Sequence, residues 1–554
     1  MLKKHLAVIT AVSMMVTGVV SVYANDDAAG GTPENAPAQA SVKTFSFDTD
    51  TIIRDAVPTE LYGYNFESSN GKPNDNIVAM GGKFLADEYG KPNPEAKVML
   101  EGYPFDHIRY GGASFMSYRW KEGLGSLWQR ELFTTQIEDD RQIGHTRTAF
   151  ADGDDMSNTV KRTDSVPEMI KLMQGMNPDI SVTFCLNCGS DTLENQIDLV
   201  EFLTSDGSFN YNGGENWGKI RREIYGIEKV NMFAWEIGNE YNYAKGNAEE
   251  YIETVKKYIP AIRAIDKTTP IAVHQMASDE EISSTEWQKR LFIECGDMFD
   301  YIVAHKYFYL GTASGASEIG IRNVIKDINE YGDKDRHKLL LTEYNCNYSG
   351  NNALLNESIS GAVAIGDYIT RILHYPQVIE ADFHGLARGG IPSYNMTGDN
   401  YYFRTEFGYY PENSWISYYT DRDRKIKAIP AVDVLRMFYQ NSPGAKVIHS
   451  ELEGFALGEY ADATCAAFAQ ENGDICVFFT NLDIDKELTI NIENSGYYLK
   501  SDVRIYGTKG PESINHYKRK EVNIDEKEYA DKSECKQYTL SPLSFAMIRL
   551  SPIK

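Results

Sequence analysis

Cysteine is scarce in this chain. Seven in 554 residues, an odd count, exclude a disulfide-dense scaffold. Cys185-Leu-Asn-Cys188 is a lone CxxC with no second pair at metal spacing, and it reads as packed thiols. Cys465 and Cys476 flank an Asn472-Gly473 turn. A two-residue loop there pairs Cys476 with Ala469 and Cys465 with Thr480, so those two cysteines are not expected to bridge. No HExxH, EF-hand loop or dense Cys/His cluster occurs, so neither a metal nor another cofactor is implied.

Basic residues are also in short supply. Lys and Arg total 55 against 80 Asp and Glu, a formal net charge of −25. Such a field repels phosphate backbones and anionic lipid, which disfavours nucleic-acid and membrane-surface roles. A long apolar run occurs once, at the start: Met1-Leu-Lys-Lys-His, then Leu6–Val22, then Tyr23-Ala24. A basic n-region, an apolar h-region and a small-residue cleavage site describe a signal peptide over residues 1–24. A secreted, cell-surface or periplasmic location is therefore expected, with no membrane association after cleavage. Residues 25–41 are a Gly/Pro/Ala/Asp-rich linker.

Tyrosine is plentiful: 36, against 24 Phe and 6 Trp. A flat apolar face with a polar tip suits sugar rings and other amphipathic ligands. From residue 60 to 440 short apolar runs alternate with amphipathic segments. The expected strands are Leu61–Phe66, His107–Tyr110, Ile180–Leu186, Asn231–Trp235, Pro270–His274, Phe299–Ala304, Lys338–Thr342 and Val378–Phe383. Eight strands with helical connections predict an α/β protein, a (β/α)8 TIM barrel. Residues 441–554 change texture to short strands and turns, predicting a C-terminal antiparallel β-sandwich domain. Residues 42–59 alternate and are expected to add a strand to that sandwich.

Catalytic residues of such barrels sit at the C-terminal ends of strands. Those ends carry Glu67, Arg109, Asn239-Glu240, His305 with Tyr307, and Glu343. Two glutamates facing each other across the mouth are what glycosidic cleavage needs: one protonated to donate to the leaving oxygen, one ionised. Glu236, inside its strand, reads as a buried structural partner. Asp297, Asp300 and Glu380 read as ordinary helix-end or strand-flanking acids.

Four blocks carry a family resemblance. They are Tyr62-Gly-Tyr-Asn-Phe-Glu67; Arg109-Tyr-Gly-Gly112 with Tyr118-Arg-Trp-Lys-Glu-Gly-Leu-Gly125; Trp235-Glu-Ile-Gly-Asn-Glu240; and His305-Lys-Tyr307 with Thr342-Glu343. In this order the chain resembles clan A retaining glycoside hydrolases, most closely the family 51 α-L-arabinofuranosidases. The resemblance implies Glu240 as acid/base and Glu343 as nucleophile. It implies substrate-binding roles for Glu67, Arg109, Asn239, His305, Tyr307 and Trp120, with Arg109 and Tyr307 also holding Glu343 ionised. The pattern is broken at Gly111, where the family has Pro, at Ala113 and Ser114, and after the eighth strand by Asp382, His384 and Arg388. These departures leave the sugar open more than the chemistry.

The expected function is a secreted retaining glycosidase acting on polysaccharide or oligosaccharide, with α-L-arabinofuranosidase as leading activity. Another clan A glycanase, endo-β-glycanase or β-glycosidase, is the alternative within enzymes. A non-catalytic carbohydrate-binding protein is the alternative outside them. Carbohydrate is the expected partner; a homo-oligomer is left open.

Overall fold

The computed structural model describes residues 40–66, 94, 98, 102–103, 106–111, 120–125, 132–134, 160–162, 165–189, 191–240, 248–275, 286–346, 355–385, 418–420, 426–515 and 519–553. Its centre is a closed barrel of eight parallel strands. In chain order these are Gly63–Phe66, His107–Tyr110, Ser181–Leu186, Asn231–Ile237, Ile271–His274, Tyr301–Phe308, Lys338–Cys346 and Val378–His384. The ring closes where Asp382 of the eighth strand pairs with Gly63 of the first. Runs such as Ser-Val-Thr-Phe-Cys-Leu, buried at every position, form strands because both faces are covered, one by the barrel interior and one by helices.

The helices begin where the sequence supplies caps. Ser165 accepts from the Glu168 amide before Val166–Met176, whose first turn carries Pro167. Thr192 accepts from the Asn195 amide before Leu193–Thr204. Ile359–Ile372 is buried along its whole length, because the barrel covers one side and the β-domain the other. Gly366 permits this: a Cβ there would stand 2.5 Å from the Phe545 ring.

The second layer is a nine-stranded, mainly antiparallel sheet that includes Ser41–Arg54. That strand pairs antiparallel with Lys446–Leu452 and parallel with Leu488–Ile492. The sheet curls on itself as a sandwich, so that Phe45, Val477, Ile490, Tyr538 and Ile548 share one apolar core. Its hairpin at Asn472-Gly473 is longer than the sequence suggests. Ala469 pairs with Ile475 and Phe468 with Cys476, a register one residue away from a two-residue loop. Cys465 opposes Phe479, and it and Cys476 are buried thiols.

Several barrel strands run further than their apolar patterns indicate. The sixth continues past Ala304 to Phe308, the seventh past Thr342 to Cys346, and the eighth to His384. The added residues are polar or aromatic, so hydrophobic alternation stops before the hydrogen-bonded ladder does. His305, Tyr307, Glu343 and His384 consequently stand on strand backbone rather than on loops.

Candidate active site

Side chains on a strand alternate between its two faces. On the second strand Ile108 and Tyr110 join the apolar core, while Arg109 contacts residues of other barrel strands. Arg109 is fully buried and grips three residues at once, two on strands and one in a turn. Its Nε donates to Glu236 Oε2 at 2.8 Å, and its Nη2 to Glu236 Oε1 at 2.5 Å and Asn239 Oδ1 at 2.6 Å. Its Nη1 donates to Glu343 Oε1 at 2.7 Å. One guanidinium thus fixes the fourth strand's Glu236, the turn residue Asn239 and the seventh strand's Glu343.

Glu236 is the structural partner that its place inside the strand suggests. Burial pushes its carboxyl up, but the Arg109 charge and a 2.7 Å contact with His274 Nε2 outweigh burial and hold it at about 2. His274 itself is pushed down by burial. After Ile237 the chain turns sharply: Gly238 has φ 73° and Glu240 φ 42°. Glu240 is one of two non-glycine residues at positive φ among the described residues, a left-handed conformation that disfavours a side chain. The turn presents Glu240 at the rim, its side chain 21% exposed.

His305 lies between the two glutamates. Its Nδ1 is 2.8 Å from Glu240 Oε1 and 3.5 Å from Glu343 Oε2, and its Nε2 is 3.1 Å from Thr342 Oγ1. Burial lowers the imidazole's proton affinity, yet the Glu343 charge and the hydrogen bond to Glu240 raise it above the ordinary histidine value. Tyr307 donates to Glu343 Oε2 at 2.6 Å. Burial raises Glu343, but His305, His384, Arg109 and the Tyr307 hydroxyl together hold it well below the usual carboxylate range. An oxygen of Glu240 and one of Glu343 lie within 4.8 Å of each other.

Arg109, Asn239, Glu240, His305, Tyr307 and Glu343 are therefore brought together. Trp120 is not. Its ring is fully buried against Phe202 and Trp217, and its indole N–H donates to the Asn195 carbonyl at 2.8 Å. With its ring packed against helices and its donor engaged, Trp120 stands apart from the cluster of residues around Glu343. Glu67, Ala113, Ser114 and Arg388 lie outside the described residues.

Two residues join the site unassigned by sequence. His384 Nδ1 is 2.7 Å from the Tyr307 hydroxyl and 3.8 Å from Glu343 Oε2. His274 backs Glu236 and stacks edgewise on His305 at 5.2 Å. Both close a barrel strand at its C-terminal end, the same signal that singled out Glu343. Gly111 also has a physical reason to replace proline: its φ is 150°, and a Cβ there would stand 2.2 Å from Cys185 Cβ.

No protein-family model and no curated protein matches the sequence. Solved structures do match. The α-L-arabinofuranosidase of Thermotoga maritima, in an arabinose complex, is 17% identical with TM-score 0.67, over 92% of this chain and 99% of that one. A family 51 α-L-arabinofuranosidase of Bifidobacterium longum is 15% identical with TM-score 0.69, over 92% and 99%. The family 51 arabinofuranosidase of Xanthomonas axonopodis pv. citri is 14% identical with TM-score 0.68, over 93% and 100%. The chain shares their fold. The likeness spans barrel and β-domain together, which agrees with the architecture expected from sequence.

Proposed function

We propose that this protein is a retaining glycoside hydrolase whose leading activity is removal of α-L-arabinofuranosyl groups, with Glu343 as nucleophile and Glu240 as acid/base. The observation that carries this is the approach of the two carboxyls to within 4.8 Å, one of them clamped by Arg109 and Tyr307. Retaining enzymes hold the pair about 5–5.5 Å apart, whereas inversion needs roughly 6.5–9.5 Å to admit water between carboxylate and sugar.

The division of labour follows from the surroundings. Glu343 is buried and ionised, as a group must be to attack an anomeric carbon. Glu240 stands at the rim beside His305, where it can protonate the departing glycosidic oxygen. A glycosyl ester forms on Glu343 as the leaving oxygen takes the Glu240 proton. Water then attacks the same carbon, giving its proton back to Glu240 and freeing Glu343. Asn239, oriented by Arg109, is placed to bind a sugar hydroxyl. The fold shared with α-L-arabinofuranosidases supports the choice of sugar. The basic and apolar residues 1–24 support export.

The test is a panel of nitrophenyl glycosides, α-L-arabinofuranoside included, and of intact polysaccharides, with products sized and the first-formed anomer read by NMR. Turnover of the arabinofuranoside with retention and release of monosaccharide is expected. A ladder of oligosaccharides would replace the exo-acting reading with an endo-acting one. Undiminished turnover by Glu343→Ala would remove the assignment altogether.

A further inference from the structure

One layer below Arg109 the barrel interior holds a second group of ionisable side chains that the glycosidase chemistry does not use. His107 precedes Arg109 by two positions, and Glu380 and Asp382 precede His384 on the eighth strand. Far from being an ordinary flanking acid, Glu380 is fully buried, as are Asp382 and the imidazole of His107. His107 Nε2 lies 3.2 Å from Glu380 Oε1 and 3.7 Å from Asp382 Oδ1.

None of these approaches is a hydrogen bond. His107 Nε2, Glu380 Oε1 and both Asp382 carboxyl oxygens are buried without a hydrogen-bond partner. The remaining donor and acceptor atoms are engaged: His107 Nδ1 with Ser181 Oγ at 2.7 Å, and Glu380 Oε2 with the Thr183 hydroxyl at 2.8 Å. Among the described residues no Lys or Arg pairs with either carboxylate. The space beside them is kept by Gly63, where a Cβ would fall 2.1 Å from Asp382 Oδ1 and 2.8 Å from His107 Cδ2.

Two acids and an imidazole converge in a fully buried place with no Lys or Arg paired to them, where only a proton shared between Asp382 and Glu380 or a bound cation offsets the buried charge. A ring nitrogen that approaches a carboxylate oxygen but misses it as a hydrogen bond is how two ligands look when both are aimed at a third atom. We propose that His107, Glu380 and Asp382 form a buried site for a divalent transition-metal ion, with zinc the best match to one imidazole and two carboxylates. A dication neutralises both acids. Ser181 and Thr183 supply the supporting shell that orients a metal-bound imidazole and carboxylate. The site has no solvent exposure, so the ion enters as the barrel closes and contributes to folding rather than to catalysis.

The test uses the untagged full-length protein produced in zinc-supplemented medium, passed over chelating resin and analysed for metals by mass spectrometry. One zinc per chain is expected, falling to background in Asp382→Asn and His107→Gln. Wild-type protein refolded with zinc chloride should melt several degrees higher than protein refolded with EDTA. If either variant fails to fold, wild-type metal content and the refolding pair decide the matter. Background metal in the wild type with no shift between the two refolded samples would overturn the site, as would full zinc retention by Asp382→Asn. Neither readout involves glycoside turnover, so the result is separate from the proposed activity.

Discussion

Tyr307 stands 2.7 Å from His384, hydroxyl oxygen to Nδ1, and the direction of that hydrogen bond is determined. The phenol's one proton is given to Glu343 Oε2 at 2.6 Å, so Tyr307 can only accept from His384. The two residues form a relay of donors ending on the proposed nucleophile. Tyr307→Phe removes its last link. A hydrogen bond to a charged group contributes about 1.5–3 kcal/mol, so kcat should fall by roughly 10- to 100-fold with little change in KM. Glu343 also loses a donor that favours its ionised form, so the acid limb of the kcat/KM profile should move to higher pH. A pH profile of the variant checks both effects; an unmoved acid limb would refute the relay.

Glu240 is a rim residue paired with the His305 imidazole, and its proposed work is proton transfer. Glu240→Ala should therefore lose turnover in proportion to how badly the leaving group needs a proton. The loss is expected at about 10²- to 10⁴-fold on unactivated glycosides, the usual range for general acid–base catalysis. It should be much smaller on dinitrophenyl glycosides. Added azide should restore turnover with an activated substrate and yield a glycosyl azide, visible by NMR. If azide gives no adduct and the loss ignores the leaving group, Glu240 is not the acid/base.

Glu236 and Arg109 form a buried, bidentate ion pair. Breaking such a pair by neutralising one partner costs roughly 3–5 kcal/mol, which is the destabilisation expected of Glu236→Gln. The folded carboxyl lies at about 2, below its unfolded value of about 4.3. A depressed carboxylate contributes stability that is complete above the unfolded value and is lost as pH falls through the folded one. Urea denaturation at a series of pH values should show the deficit of Glu236→Gln constant near neutrality and shrinking from about pH 4 towards 2. A deficit that does not change with pH would place its origin in packing instead.

His305 has the opposite sign. Its proton affinity is raised in the folded protein by Glu343 and Glu240. The stability it contributes is complete below the unfolded value of about 6.5 and is lost as pH rises through the folded value. The difference in melting temperature between wild type and His305→Gln should thus be largest in mild acid and narrow on the alkaline side. A gap that widens with pH would mean that His305 is neutral in the folded protein.

How much of this was readable from sequence depends on the link involved. The barrel was legible because fully buried parallel strands such as Ser181–Leu186 are continuous apolar runs that two-state alternation cannot mimic. Glu343 was legible because it follows such a run directly, and Glu240 because it ends the Trp-Glu-Ile-Gly-Asn-Glu block just beyond one. His384 and His274 carry the same positional signal but no partner visible in one dimension; Tyr307 and Glu236 come to them from strands dozens of residues away. Glu380 was misread for a related reason. An acid in an apolar strand looks like an edge position unless His107 and Thr183, from the second and third strands, are known to face it. The hairpin at Asn472 was misread locally, since a longer loop carries the same Asn-Gly signature as a two-residue one.

Trp120 shows where resemblance and structure part, and the difference is measurable. The residue lies in the short helical turn Trp120–Gly123 and is wedged between Phe202 and Trp217, with ring centroids 5.2 and 5.0 Å away. Its N–H is given to the Asn195 carbonyl inside the capped helix Leu193–Thr204. Removing the ring leaves a cavity beneath that helix, and Trp→Ala in a core costs about 3–5 kcal/mol. Trp120→Phe fills most of the cavity but gives up the hydrogen bond to a part-buried carbonyl, for about 0.5–1.5 kcal/mol. Neither change touches Arg109, Glu240 or Glu343. Chemical denaturation should rank the stabilities wild type, Phe, then Ala, while KM for an aryl glycoside stays the same for every variant that folds. A several-fold rise in KM with stability unchanged would return Trp120 to the sugar, and with it the role that the motif suggested.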